Sequence, residues 1–77
     1  MDFEYALKAL KENQWVSREG WNGKGQALKL VSGVQAEVSG DTQTLVSFIV
    51  IHTSDDKWVP WLASQTDLLA EDWFMLS

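Results

Sequence analysis

The sequence predicts an α+β fold, in which an N-terminal helix packs on an antiparallel β-sheet and a short second helix precedes the last strand. Apolar residues near the N-terminus recur at helical spacing, and several later segments alternate or are rich in β-branched and aromatic residues. A helix-capping pattern stands just before the final strand-like segment. Because 77 residues is the size of one domain, we expect residues 1–77 to form a single domain.

The first element is an amphipathic helix near the N-terminus. Asp2 is its expected N-cap and Asn13 its expected end. Its apolar positions follow the i, i+3, i+4, i+7 spacing of one helical face, and they are Phe3, Ala6, Leu7 and Leu10. This face needs an apolar surface to cover it, which the strands that follow can supply.

Six later segments have the alternation or the composition of strands, namely residues 15–18, 26–31, 34–38, 45–52, 58–59 and 72–76. The fourth of these, from Leu45 to His52, is the strongest. Gly40-Asp41 and Ser54-Asp55-Asp56-Lys57 are turn signals, and Pro60 ends the strand that precedes it. We therefore expect an antiparallel sheet of four to six strands.

The segment from Ser64 to Ala70 is predicted to form the short second helix. Ser64 is its expected N-cap, and Asp67 stands at the third helical position, where a capping box places an acid. The last strand follows this helix directly, which completes the α+β order.

The composition excludes several classes of function. The net charge is −5, with six Lys and Arg, whereas a protein that binds duplex nucleic acid presents a basic face. We therefore expect no nucleic-acid polymer as a partner. The longest apolar runs, such as residues 48–51, are too short to span a bilayer, and residues 1–4 lack the basic start of a signal peptide. A soluble, cytoplasmic protein without a membrane partner is expected.

The small size of the chain indicates an oligomer. A domain of this size buries only about 60% of the surface that its unfolded chain exposes, so a lone core is marginal. Small scaffolds add disulfides, a metal or partner subunits, and this chain has no Cys and one His. Because partner subunits are the device that remains, we expect a homo-oligomer. At least one of the five Trp is expected to face a ligand or a partner subunit.

No arrangement typical of an active site is present in the sequence. Nucleophilic catalysis needs a base beside the nucleophile, and the one imidazole, His52, lies within an apolar strand-like segment. Asp67 and Glu71 stand i, i+4 on one helix face, where two acids more often form a solvated surface than a catalytic pair. The chain has no HExxH, P-loop or dinucleotide motif. We expect a non-enzymatic protein without a cofactor or a metal.

The loop Trp21-Asn22-Gly23-Lys24-Gly25 is the first candidate binding segment. The glycines on either side of Lys24 let a ligand approach the backbone and leave N–H groups free to donate, and the ammonium group supplies a charge for phosphate. Trp21 offers a flat ring on which a purine can stack. The alternative is a plain hairpin loop with the Trp21 ring packed in the core.

The start of the second helix is the other candidate binding segment, and its residues are Trp61, Ala63, Ser64, Gln65, Thr66 and Asp67. The free N–H groups and the positive dipole end of a helix favour an anion, and the polar side chains there can hydrogen-bond base edges or ribose hydroxyls. The alternative is ordinary capping, with Leu68, Leu69 and Trp73 in the core. We expect the two candidate segments to come together where subunits meet.

The two segments also carry a resemblance to a known family. The motifs are Val16-x-Arg18-x-Gly20-Trp21-Asn22-Gly23-Lys24-Gly25 and Val59-Pro60-Trp61-Leu62-Ala63-Ser64-Gln65-Thr66-Asp67-Leu68-Leu69-Ala70-Glu71-Asp72-Trp73, with the helical Ala6-Leu7-Lys8-Ala9-Leu10-Lys11 before them. With these motifs the chain resembles the Thoeris anti-defence family of the second type, small proteins of phages and prophages. The likeness lies at both ends of the chain, whereas residues 33–57 show little of it.

The resemblance implies a molecular sponge. Family members bind intact a cyclic ADP-ribose isomer, the alarm signal of the bacterial Thoeris system, and so prevent it from activating its effector. They assemble as homotetramers that hold ligand between subunits, and some related sponges also hold cyclic oligonucleotides. The resemblance therefore implies that this chain sequesters such a signal in the cytoplasm of the bacterial host without cleaving it, using the two candidate segments.

Two alternatives remain open. One is a protein-interaction module that inhibits a host defence protein directly, through exposed Trp and the acidic surface. The other is an enzyme that degrades the signal. The chain departs from the family pattern at Glu12-Asn13-Gln14-Trp15, at His52 and at Asp56-Lys57, and these differences leave the ligand isomer open.

Overall fold

The computed structural model describes residues 1–21 and 25–76 and has the predicted α+β architecture. In chain order, the elements are α1 (Phe3–Lys11), β1 (Val16–Arg18), β2 (Ala27–Val31), β3 (Gln35–Val38), β4 (Asp41–Thr44), β5 (Phe48–His52), β6 (Trp58–Pro60), α2 (Gln65–Leu69) and β7 (Trp73–Met75). The N-terminal helix and the short helix before the last strand are thereby confirmed. Neither helix in this described part has the length and the apolar run that a bilayer crossing requires.

Helix α1 has the predicted boundaries. Asp2 Oδ1 accepts a backbone N–H of the first turn at 3.0 Å, which confirms it as the N-cap. Asn13 follows the last turn with a φ of 63°, a left-handed conformation that Asn tolerates beyond a helix end. The buried side chains of the helix are Ala6, Ala9 and Leu10, and Phe3 packs against them. The predicted face is thus confirmed at Phe3, Ala6 and Leu10, whereas Ala9 is buried and Leu7 is only partly so.

Five strands form one antiparallel sheet in the order β6-β5-β2-β1-β7, within the predicted range of strand number. Val16 lies opposite Leu28, and Leu28 opposite Ile51. Because residues that pair directly across neighbouring strands point to the same face of a sheet, these side chains share the face that packs on α1. The core therefore combines the helix with Val16, Leu28 and Trp73, none more than 1% exposed.

Strands β3 and β4 form a separate two-stranded sheet, which we call the arm. Its register continues that of β2 and β5. The Gln35–Thr44 pair of the arm lies four residues beyond the Val31–Phe48 pair on both strands. The arm is thus the distal part of one long hairpin, interrupted at residues 32–34 and 45–47. It contacts none of the other elements in the described ranges.

The prediction for the second strand of this hairpin is wrong in two respects. The strand expected over residues 45–52 begins only at Phe48, and β4 was not predicted at all. Leu45 N–H donates to Val34 O at 2.8 Å, so residue 45 still belongs to the arm. Strand β4 is exposed along its whole length, and a strand without a buried face has no apolar alternation by which a sequence could predict it.

Candidate functional site

The loop after β1 lies against the start of α2 and of β7. Trp21 is half-buried, and its ring meets that of Trp73 nearly edge-on, with centroids 5.3 Å apart. Its indole Nε1–H donates to Asp67 Oδ1 at 3.2 Å. The ring of Trp21 is therefore fixed between the sheet and α2, and it forms a rigid wall at the beginning of the loop.

The side chains of Arg18, Asp67 and Asp72 form a charged cluster behind this wall, which we call the Arg18 clamp. Arg18 Nη1 donates to Asp67 Oδ1 at 2.8 Å, and Arg18 Nε donates to Asp72 Oδ1 at 2.7 Å. Asp72 Oδ2 also accepts the backbone N–H of Gly20 at 2.7 Å. The clamp thus joins β1, the loop, α2 and the start of β7 through charge-assisted hydrogen bonds, which are stronger than neutral ones.

Gly20 allows the loop to approach the clamp this closely. A Cβ atom at this position would lie 2.8 Å from Asp72 Oδ2 and 3.2 Å from Arg18 Nη2. Any larger residue would displace the carboxylate that holds the loop, so the sequence position before Trp21 requires glycine for the geometry seen here.

The clamp groups are all charged at neutral pH. The hydrogen bond from Arg18 holds the pKa of Asp72 below its ordinary value. Burial raises the pKa of Asp67, but hydrogen bonds from Arg18, Trp21 and Ser64 outweigh this effect and lower it overall. The hydrogen bond with Asp72 is the main reason that the pKa of Arg18 is raised. Because two carboxylates surround one guanidinium, the clamp carries a net negative charge and offers no free cation to a phosphate.

The start of α2 is built as the capping box that the sequence predicts. Asp67 N–H donates to Ser64 Oγ at 3.1 Å, and Ser64 N–H donates to Asp67 Oδ2 at 3.4 Å. Ser64, Gln65 and Thr66 are exposed, whereas Ala63 is half-buried. The Asp67 side chain therefore both caps the helix and belongs to the clamp, so the position of α2 depends on Arg18.

Four aromatic rings join this helix start to the core. Trp73 lies at their centre, within 5.3–6.1 Å of the ring centroids of Phe3, Trp21 and Trp61. Trp73 Nε1–H donates to Asp67 O at 3.0 Å. The ring of Trp61, one of the predicted site residues, thus packs against the core.

A cleft of about 440 Å³ opens beside Trp21 and Gly25, the described ends of the loop. It is lined by Ser17, Arg18, Glu19, Trp21, Gly25, Gln26, Phe74 and Leu76. Ser17 pairs with Phe74 across β1 and β7, and both alternate with residues that face α1, so the cleft lies on the sheet face that α1 leaves uncovered.

Some of the predicted site residues line this cleft and others do not. Trp21 and Gly25 line it, whereas Trp61 and residues 63–67 do not. The start of α2 instead supports the cleft from behind, because Asp67 holds Trp21 in place. The remaining predicted residues, Asn22, Gly23 and Lys24, lie outside the described part of the chain.

Sequence reasoning missed most of the residues that shape the cleft. Phe74 and Leu76 share one face of the last strand segment, and Ser17 shares that face with them through β1. Strand alternation could have placed these side chains together once β1 was paired with β7, but pairing partners cannot be read from one chain. Asp67 was expected on a solvated acidic surface with Glu71, and this expectation is wrong because the Asp67 carboxylate turns inward to Arg18.

The far end of the loop is held at Gly25. This glycine has a φ of 82°, and its carbonyl oxygen accepts a hydrogen bond from His52 Nδ1 at 2.8 Å. His52 Nε2 lies 2.7 Å from Asp56 Oδ1. Both ends of the loop are therefore anchored, one by the Arg18 clamp and the other by the histidine of β5.

The charged groups around the cleft do not form a metal centre. Within residues 1–21 and 25–76, no three His, Asp or Glu side chains are grouped so that they could hold a metal ion. The hydroxyl of Ser17 donates to Gln26 O at 2.7 Å, and the imidazole of His52 contacts Gly25 and Asp56.

Comparison with known proteins gives a consistent result over the whole chain. Residues 1–76 match the family model described as the Thoeris anti-defense 2-like domain. The chain is also 40% identical, over 85 aligned residues, to the protein named Thoeris anti-defense 2 of Bacillus phage SP01. That alignment covers 100% of this chain and 96% of the phage protein. Both matches extend through residues 33–57, which carried little of the resemblance in the sequence.

Proposed function

The chain belongs to the Thoeris anti-defense 2-like family, and from this premise we propose that it captures a cyclic ADP-ribose-type signalling molecule and sequesters it without cleavage. Membership of the family supports an anti-defence role. Sequestration is the simplest form of that role for a small binding domain, because each bound signal is withdrawn from the Thoeris effector.

The cleft beside the described ends of the loop is the observation that carries this proposal. Its volume of about 440 Å³ falls within the range of small-molecule pockets, which are mostly apolar with a few polar groups. Trp21 and Phe74 supply aromatic surface, and Glu19 and Gln26 supply polar groups at the rim. An aromatic, polyhydroxylated ligand matches this combination.

The electrostatics of the cleft suggest how such a ligand is oriented. The Arg18 clamp is net negative and Glu19 adds a further carboxylate, so phosphate is disfavoured on that side. By its sequence, the loop can supply the cation that a diphosphate requires from Lys24, and N–H donors from the glycines beside it. We assign the base and ribose to the side of Trp21 and the phosphates to the lysine of the loop.

The described cleft residues favour binding over cleavage. The Ser17 hydroxyl donates to the Gln26 carbonyl, and no histidine is among the described residues that line the cleft. The carboxylates of the clamp have lowered pKa values, whereas a general acid at neutral pH needs a raised one. We therefore propose a non-enzymatic protein.

The pocket is proposed to be completed in a homotetramer. Ser64, Gln65 and Thr66 are exposed at the start of α2 and do not line the cleft of their own chain. Placed at a contact between subunits, they can donate to a ligand that a neighbouring loop holds. A pre-formed pocket of this kind loses little entropy on binding, which favours the tight capture that sequestration needs.

Incubation with cyclic ADP-ribose isomers, followed by heat denaturation and mass spectrometry of the supernatant, tests the proposal. Depletion of the free ligand before heating and its intact release afterwards is the expected result. Release of an altered molecule would support a signal-degrading enzyme. Absence of depletion for every isomer would support a protein-interaction module that inhibits a defence protein directly.

Two variants locate the site. Lys24→Ala removes the proposed phosphate cation, and a hydrogen bond to a charged group contributes about 1.5–3 kcal/mol. Trp21→Ala removes the aromatic wall on which a base can stack. Each variant should therefore weaken capture about tenfold or more. Assembly should persist in both variants, as measured by light scattering. Lys11→Ala, on the exposed end of α1, is the matched control and should capture like the unmodified protein. Unchanged capture in both loop variants would move the site elsewhere.

A further inference from the structure

His52 is placed between two hydrogen-bond acceptors. It is the last residue of β5, and its Nδ1 lies 2.8 Å from the carbonyl oxygen of Gly25. Its Nε2 lies 2.7 Å from the carboxylate of Asp56, in the turn between β5 and β6. No other histidine occurs in the chain, so this contact is a single, identifiable feature of the molecule.

The protonation state of the ring decides how many of these contacts can form. A neutral imidazole has one N–H donor and one nitrogen with a lone pair, whereas an imidazolium has two donors. Because a carbonyl and a carboxylate oxygen both need a donor, only the imidazolium satisfies both partners of His52. Loss of the proton leaves one ring nitrogen facing an acceptor, and one of the two contacts must weaken.

The contact with Gly25 connects this choice to the capture loop. Gly25 lines the cleft and ends the loop that carries Lys24. Its φ of 82° gives the backbone a conformation that glycine adopts freely, so an external anchor is needed to select it. We propose that His52 is a positioning residue, which in its protonated form holds the end of the loop and makes ligand capture tighter in more acidic solution. This inference rests on the proposed function.

The surroundings of His52 favour the protonated form. The hydrogen bond with Asp56 is the main cause that raises the pKa of His52, the Gly25 carbonyl raises it further, and burial opposes both. The turn also carries Asp55 and Lys57, which pair with each other at 3.6 Å. The uncharged ring of Trp58, in β6, packs against the imidazole with ring centroids 4.6 Å apart.

Among the described residues, one further cation lies on this side of the sheet. Lys29 of β2 points away from the imidazole, because its ammonium donates to Asn13 O and lies 5.5 Å from the ring of Trp15. Lys24 belongs to the loop that is held. With a raised pKa, both contacts of His52 are complete below that pKa, and one of them weakens as the pH rises through it.

The experiment measures capture of a cyclic ADP-ribose isomer between pH 5.5 and 8.5, together with the NMR titration of the single imidazole. In the unmodified protein, the dissociation constant should rise about three- to tenfold across the measured His52 pKa, the effect of about one hydrogen bond. His52→Gln keeps one amide donor for Gly25, so its capture should be independent of pH. This variant is also the reference for any pH dependence that arises from titration of the ligand itself.

Asp56→Asn separates the anchor from the general effect of charge. This side chain is highly exposed, and its replacement should lower the NMR pKa of His52 and move the capture midpoint down with it. Asp55→Asn, in the same turn but without contact to His52, should leave both midpoints in place. The same pH dependence in the unmodified protein and in His52→Gln would overturn the inference, as would an Asp56→Asn variant with an unmoved midpoint.

Failure of the proposed function would be visible separately. If the unmodified protein captures no isomer at any pH, the proposed function fails, and the carbonyl ¹³C shift of Gly25 then decides about His52. A shift that titrates with the midpoint of the imidazole would support the anchor. A shift that stays constant through that midpoint would overturn it.

Discussion

Asp67 connects several elements near the cleft. Its carboxylate accepts hydrogen bonds from Arg18, Trp21 and Ser64, and its carbonyl accepts one from Trp73. One side chain therefore caps α2, neutralises Arg18 and orients the aromatic wall of the cleft. Such a shared acceptor makes the geometry of the site dependent on one charge.

This dependence gives a stability prediction with a defined response to pH. Asp67→Asn should lower the free energy of unfolding at pH 7 by about 2 kcal/mol, the value of a hydrogen bond between charged groups. Because the folded-state pKa of Asp67 is below the ordinary 3.8, its stabilisation is complete above that value and is lost as the pH falls through the folded-state pKa. Urea unfolding at pH 7 and in steps below pH 4 measures both effects.

The matched control for this prediction is Asp41→Asn, in the exposed first position of β4. It should change the free energy of unfolding by less than about 0.5 kcal/mol, as surface substitutions usually do. Equal losses in the two variants, or a loss in Asp67→Asn that persists unchanged below pH 3, would contradict the role given to the clamp.

The residues of the site show which features a sequence can supply. The capping box of Ser64 and Asp67 follows from local spacing, and it was predicted correctly. The inward turn of the Asp67 side chain was missed, because its partner Arg18 is 49 positions away and no local pattern connects them. The cleft residues Phe74 and Leu76 were missed for the same reason, since the pairing of β1 with β7 is non-local.

At the level of elements, strands β2 to β5 form one long hairpin with two distinct parts. Its inner part supplies two central strands of the sheet, whereas the arm extends from the sheet without contacting other described elements. The Val34–Leu45 hydrogen bond closes the hairpin just inside the arm. The inner hairpin therefore has its own end and does not depend on the arm for its register.

Removal of the arm tests this independence. Replacing residues 35–44 with Asn-Gly places a two-residue turn between Val34 and Leu45, a loop length that hairpins favour. The shortened chain should unfold cooperatively with a midpoint within about 5 °C of the full chain, measured by circular dichroism. Deletion of Ser47 alone is the control, because a one-residue shift turns every side chain of β5 to the opposite face, and this variant should not fold. Loss of folding on replacement of the arm would show that β3 and β4 are needed for the sheet.

The elements also separate what local pattern predicts from what it does not. Helix α1 and the strands around the core have one buried face, and their periodicity predicted them. Helix α2 has no buried residue and was predicted from its capping box instead. Strand β4 is exposed throughout and therefore left no such periodicity. The start of β5 at Phe48 was predicted three residues too early, because residues 45–47 continue the strand-like composition through the bend where the arm leaves the sheet.

For the whole molecule, the distribution of apolar surface supports assembly. The buried core consists of eight apolar residues, while Leu62, Leu69 and Val46 are 92%, 78% and 85% exposed. Large aliphatic side chains are thus exposed near α2 and at the base of the arm. They are consistent with the proposed homotetramer, in which contacts between subunits bury them and bring the start of α2 to a neighbouring loop.

Native mass spectrometry of the protein mixed with a cyclic ADP-ribose isomer tests the central claim most directly, because it reports assembly and the state of the ligand together. We predict an assembly of about 35 kDa, four times the 8.7 kDa of the chain, that carries additional mass equal to whole ligand molecules. Collisional release should return the ligand at its original mass. Assemblies that carry no added mass with any isomer, or that release a hydrolysed product, would contradict capture without cleavage.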